Sequence, residues 1–136
     1  MKLMKTLFLV IALLTGMLLS MCGSTQQSQQ PAKGTIATLT VDEFAKVVKQ
    51  KKVRLVDVRT PSEYAEEHLV GAENIDVKAA DFAEKIKPLK GKVAVYCRSG
   101  KRSLAAAYQL AAQGCTVYNL DGGIMAWKKA GQATIK

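Results

Sequence analysis

The chain has 136 residues, enough for one domain, with 49% hydrophobic residues and a formal charge of +9. Removing Lys2 and Lys5 of the leader from the 20 basic residues leaves 18 against 11 acids, a charge of +7. The lysines are scattered along the sequence and few aromatics interleave with them. That disfavours nucleic acid as a partner and leaves small anions, an anionic membrane surface or plain solvation.

Lys2 and Lys5 precede an apolar run, Leu7 to Leu19, too short for a comfortable bilayer span. Leu19-Ser20-Met21-Cys22 follows, and the whole resembles a bacterial lipoprotein signal with Cys22 as the lipidated residue. Met21 stands where a smaller residue is usual. A conventional secretory signal and an uncleaved anchor are the alternatives. We therefore divide the chain into a signal segment (1–22), a flexible tether (23–34) and a folded domain (35–136). The tether is polar and low in complexity, with a random-coil reach of roughly 20 Å. The implied location is the bacterial cell envelope, on the periplasmic side, with a membrane anchor.

Short apolar runs read as strands: Ile36 to Leu39, Arg54 to Val58, Glu73 to Ile75, Val93 to Tyr96 and Thr116 to Leu120. Between them lie helical segments. Thr40-Val41-Asp42-Glu43 is a capping box, and Val41, Phe44, Val47 and Val48 share one face behind it. A second helix is predicted from about Val77 to Lys87, stopped by Pro88. A third runs from Ser103 to Gln113, with Leu104, Ala107, Tyr108 and Ala111 on one face and Gly114 at its end. The last is Ile124 to Lys129. Alternating strands and helices predict an α/β fold with a central parallel five-stranded sheet and helices on both faces. Ligands bind such sheets outside the carboxyl ends of the strands. Asp57-Val58-Arg59, Cys97 to Arg102 and Asp121-Gly122-Gly123 all fall there.

Cys97 is the candidate nucleophile. It ends a strand, and the loop Arg98-Ser99-Gly100-Lys101-Arg102-Ser103 follows it into a helix. Loop amides, three cations and a helix N-terminus all favour a thiolate. The role requires a thiol that is ionised and open to solvent. Arg98, Lys101 and Arg102 would attract an anion and neutralise a leaving group, with a solvated basic turn as the bland reading. Gly100 lets the backbone curl round the sulfur. Ser99 and Ser103 are hydrogen-bond donors, and Ser103 is equally a helix cap. His68, the one histidine, lies in another loop and fits a backbone carbonyl better than a catalytic base. Asp57 and Arg59 read as structural support, with Arg59 pairing to Glu63 or Glu66. Asp121-Gly122-Gly123 reads as a tight turn, Trp127 as a core or rim aromatic, and Lys49 to Lys52 as a solvated helix end. Cys97 follows one strand and Cys115 precedes the next. In a parallel sheet they stand at opposite edges, too far apart for a disulfide.

Together these residues resemble a rhodanese domain, over nearly all of Thr35 to Gly131. Asp57-Val58-Arg59-Thr60-Pro61-Ser62-Glu63-Tyr64 is similar to the family's first signature. His68-Leu69-Val70-Gly71-Ala72-Glu73-Asn74-Ile75 continues it, with Glu67 where glycine is usual. Leu120-Asp121-Gly122-Gly123-Ile124-Met125-Ala126-Trp127 is similar to the closing signature. The resemblance implies a sulfurtransferase that carries sulfane sulfur as a persulfide on Cys97. The donor would be thiosulfate or a similar small anion, and the acceptor cyanide, a thiol or a reductant. No cofactor, no metal and no nucleic acid are expected, and a monomer is. Cys97 to Arg102 is Cys-x4-Arg. Related dual-specificity phosphatases, and arsenate reductases of similar fold, use the longer Cys-x5-Arg. The alternative of another class is a non-catalytic rhodanese-like binding or sulfur-carrier module at the cell envelope.

Overall fold

The computed structural model describes residues 33–136. The expected signal segment with Cys22, and residues 23–32 of the expected tether, lie outside the described residues. Five strands are present: β1 (Thr35–Leu39), β2 (Val53–Asp57), β3 (Glu73–Asn74), β4 (Lys92–Tyr96) and β5 (Thr116–Leu120). Every pairing is parallel, in the order β1-β5-β4-β2-β3. The helices are α1 (Val41–Val48), α2 (Pro61–Glu66), α3 (Phe82–Ile86), α4 (Lys101–Ala112) and α5 (Gly123–Lys129).

Strands β2, β4 and β5 carry the buried residues, the edge strands β1 and β3 being partly exposed, and alternate residues feed two cores. Val93, Val95 and Cys97 face a core with Phe82 and Ile86 of α3 and Ala106, Ala107 and Leu110 of α4. Ala94 and Tyr96 face the other core, with Phe44 of α1 and Ile124 and Trp127 of α5. This period of two puts the thiol on the same face as α4.

The Thr40 capping box forms as the sequence predicts, with Thr40 N–H donating to a Glu43 carboxylate oxygen at 2.9 Å. Two helices differ from expectation. The one expected from Val77 is only Phe82–Ile86. Before it, Asp76 draws Lys78 N–H to its carboxylate at 2.9 Å, and that local turn displaces helical geometry. Helix α4 begins two residues early and turns a different face inward. Ser103, Ala106, Ala107, Leu110 and Ala111 are buried, whereas Tyr108 is 63% exposed. The small Ala106 and Ala107 let the helix lie close to the sheet, which a Tyr108 face would prevent. Helix α2 has no counterpart in the predicted elements. Thr60 caps it, Pro61 opens it, and Glu63 N–H meets the Thr60 hydroxyl at 3.4 Å.

Cys97 and Cys115 are both free, at opposite edges of the sheet. The chain end is tied back by paired backbone bonds between His68 and Ile135, at 2.8 and 2.9 Å. Leu110 lies fully inside the α4 core. Leu110→Ala is expected to lower unfolding stability by about 2–5 kcal/mol, read as a shift in urea midpoint without a change in slope.

Candidate active site

Strand β4 delivers Cys97 to the carboxyl edge, and the loop then closes over the sulfur. Gly100, at φ 100°, adopts the left-handed conformation that this reversal needs. Its N–H donates to Cys97 Sγ at 3.1 Å. The Ser103 hydroxyl lies 3.3 Å from Sγ and 3.2 Å from the Gly100 carbonyl oxygen. With one proton it donates to one of them at a time, so ionisation of the sulfur recruits it. Helix α4 starts at Lys101 and aims its N-terminus at the same place.

Burial is the largest influence on the thiol and pushes its pKa up. The Ser103 hydroxyl and the N–H groups of Ser103, Gly100 and Ser99 together outweigh it, and the pKa falls below the ordinary value. The thiolate is favoured by donors, then, in spite of its setting. Exposure departs from the sequence expectation. Cys97 is only 1% exposed, because the loop that supplies the donors also covers the sulfur.

The three loop cations go different ways. Arg98 and Lys101 are exposed, with no ion partner among the described residues. Arg102 forms a two-pronged pair with Glu63 of α2, at 2.8 and 3.0 Å. Arg102 holds the Glu63 carboxyl down at a pKa of about 2, against the opposing pull of burial. Glu63 in turn raises Arg102. The bland reading of Arg102 as a solvated cation therefore gives way to a clamp between α2 and the loop. Glu63 was not singled out as its partner, although Glu63 three residues after Thr60 marks a helix start.

Arg59 does not pair with Glu63 or Glu66. Its guanidinium instead grips Asp57, with Nη2 to Oδ2 at 2.6 Å, and donates to the Glu67 carbonyl oxygen at 2.6 Å. Both partners are buried, and the Arg59 guanidinium sits 5.7 Å from the centroid of the Tyr96 ring. Asp57 is nearer in sequence and already desolvated, so it takes the cation that exposed acids would hold only weakly. Arg59 thereby locks the end of β2 to the segment after α2.

His68 turns Nδ1 to the Tyr64 carbonyl oxygen at 2.9 Å, as a structural histidine does. Trp127 packs edge-on against Phe44 at 6.2 Å and belongs to the core. Gly123 is more than a turn residue. A Cβ there would stand 2.4 Å from the Arg98 carbonyl oxygen and 2.5 Å from that of Cys97. The bare backbone lets Ile124 N–H donate to Cys97 O at 2.9 Å and Met125 N–H to Arg98 O at 3.2 Å. The last helix thus holds the cysteine loop from behind. Beside the loop lies a groove of about 390 Å³, lined by Arg59, Glu63, Glu66, Glu67, Arg98, Ile124, Met125 and Lys128. Within it Glu67, at the position where the resemblance expects glycine, pairs with Lys128.

The rhodanese-like domain family matches residues 40–130, a span that holds both signatures and the cysteine loop. The chain belongs to that family. Relatives of this rhodanese-like domain include thiosulfate sulfurtransferase GlpE of Pseudomonas fluorescens, 37% identical over 68% of this chain and 86% of that one. An uncharacterized protein of Synechocystis sp. is 36% identical over 75% of this chain, which spans only 56% of that protein's length. A rhodanese-related protein from Thermoplasma volcanium superimposes with a TM-score of 0.65, at 28% identity, over 72% of this chain and 96% of that one. Sulfurtransferases are thus among the rhodanese-like relatives of this chain.

Two measurements probe the loop. Ser103→Ala removes a donor and is expected to raise the Cys97 pKa and slow its alkylation by iodoacetamide several-fold near neutral pH. Glu63 has a lowered folded pKa, so its pairing contributes fully above about pH 4.5 and is lost as pH falls toward 2. Allowing for partial exposure, the contribution is on the order of 1–2 kcal/mol. In Glu63→Gln the acid unfolding curve should flatten across that window, by about that amount.

Proposed function

We propose that the protein is a sulfurtransferase working through a persulfide on Cys97. The observation that supports this most directly is the sulfur itself, ringed by the Gly100 N–H and the Ser103 hydroxyl, with its pKa drawn below the ordinary value. In the first half-reaction the loop must part to admit thiosulfate, because Cys97 is only 1% exposed, and the thiolate then attacks the donor's outer sulfur. A new S–S bond forms, the donor's own S–S bond breaks, and sulfite leaves with the bonding pair. The loop amides then cradle a persulfide anion as they cradled the thiolate. In the second half-reaction a thiol or cyanide attacks the outer sulfur and restores the Cys97 thiolate. Cyanide leaves as thiocyanate.

Arg98 is the cation placed to meet the incoming dianion, since it lines the groove and has no ion partner among the described residues. Arg102 acts through the Glu63 clamp, as a positioning residue that keeps the loop curled. Its charge also reaches Cys97 across the loop. We further read the chain as a lipoprotein of the bacterial cell envelope, anchored through Cys22 with the domain on the periplasmic side. Lys2, Lys5 and the apolar run Leu7 to Leu19 support that placement.

The burial of Cys97 favours a second reading, a binding or sulfur-carrier module whose thiol turns over no small donor. Intact mass after incubation with thiosulfate separates the two. The wild type is expected to gain one sulfur atom, and Cys97→Ser none. Arg98→Ala should slow the gain by about tenfold, the worth of one charge-assisted contact. No gain in the wild type, together with retention of an added persulfide or a bound protein, would decide for the module.

A further inference from the structure

The parallel sheet does something to the lysines that the sequence does not display. Val53, Lys92, Thr116 and Thr35 are paired residues, forming one row across β2, β4, β5 and β1. That row is the amino-terminal edge of the sheet, opposite the cysteine loop. Lys33 precedes β1, Lys51 and Lys52 precede β2, and Lys90 and Lys92 lie at the start of β4. Lys49 ends α1, which descends to the same edge. Strands lie about 4.8 Å apart, so β1 to β2 spans roughly 15 Å. All six side chains are exposed, and none has an ion partner among the described residues. Nearby Lys85 and Lys87, by contrast, are paired with Asp81 and Glu84.

Most of the carboxylates lie toward the other edge, together with Arg59, Arg98, Lys101 and Arg102. Asp42 and Glu43 open α1 just after β1 ends. Glu63, Glu66 and Glu67 lie on or beside α2 after β2, and Asp121 follows β5. The domain therefore differs along its strands, with unpaired lysines at its base and charges of both signs around the site. Such a charge distribution orients a body in front of an anionic plane.

We propose that the lysine edge is a docking face for an anionic bilayer surface, which holds the cysteine loop away from the lipid. A flat sheet edge of separate ammonium groups, with the single exposed aromatic Tyr108 near Lys33 alone, matches a plane of headgroups better than a stacked nucleic acid. Lys33 is where the preceding chain joins the domain, so the tether and its apolar leader attach at this same edge. The inference rests on the anchored reading in one respect. An anchor raises the effective concentration of the domain at the surface, so weak contacts suffice to orient it. Each ammonium close to an anionic surface strengthens contact by roughly fivefold, and salt erases the effect.

The test uses the full chain mixed with vesicles of phosphatidylcholine alone, or with about one third phosphatidylglycerol to supply negative charge. Lysines are acylated with an amine-reactive ester and read by peptide mass, alongside cosedimentation. On the anionic vesicles Lys51, Lys52, Lys90 and Lys92 should react about fivefold more slowly than on neutral ones. Lys101 and Lys129 should react alike on both, and high salt should remove the difference. The variant Lys51→Glu, Lys52→Glu, Lys90→Glu, Lys92→Glu should lose the salt-sensitive orientation, read as equal acylation of Lys49 on both vesicles, while still gaining sulfur from thiosulfate in solution. A chain that sediments with both vesicles but is labelled identically overturns the docking face and leaves the anchor standing. A chain that sediments only with anionic vesicles, with these lysines protected, supports the face and removes the anchor. Sedimentation with neither overturns both. Protection by a DNA duplex without protection by anionic vesicles overturns the proposal in favour of a nucleic acid.

Discussion

A charged sulfur in an apolar setting is unfavourable unless donors surround it, and most of the domain's architecture bears on how those donors are placed. Three amides and one hydroxyl face Cys97, and each comes from within seven residues of it. Loop sequence alone does not hold them there. Gly123 lets the last helix lie against the loop's own carbonyl groups, and Glu63 fixes Arg102 from the opposite side. The buried pair Asp57 and Arg59 fastens the segment after α2 to the end of the neighbouring strand. Burial, which opposes the thiolate, follows from the same enclosure that aligns the donors. The site is a compromise between concentration of donors and access to the atom they serve.

The sheet was legible because its signals are local and strong. Short apolar runs with alternating helices admit few topologies, and the strand from Thr116 to Leu120 appears with the bounds its residues suggest. The cysteine loop was legible for the same reason, since a strand end, a glycine and a helix start sit side by side. Pairings between distant segments were not legible. Arg59 had several acids within reach of its sequence position, and only the fold shows that the nearest one is buried with it. Arg102 and Glu63 stand 39 residues apart, and no periodicity links them. The inward face of α4 was misjudged because Tyr108 outweighs alanine on any hydrophobic scale, while close packing on a sheet favours the smaller residue.

Charge gives the sharpest contrast between chain and fold. Along the sequence the lysines look evenly spread. A parallel sheet repeats the same passage several times, down through a helix and up through a strand. Lysines placed before β1, β2 and β4 therefore arrive at one edge, however far apart they lie in the chain. Topology converts a repeated local habit into a surface property, without any single segment being strongly basic.

The docking of the last helix on the loop carries a temporal meaning. Gly123 and the amides that follow it come after the cysteine loop and the five described strands in chain order, and Ile135, tied to His68, comes later still. Until that helix has docked, the carbonyl groups of Cys97 and Arg98 lack the amides that hold the loop from behind. The backing of the loop is thus the part of the site that a growing chain supplies after the loop itself.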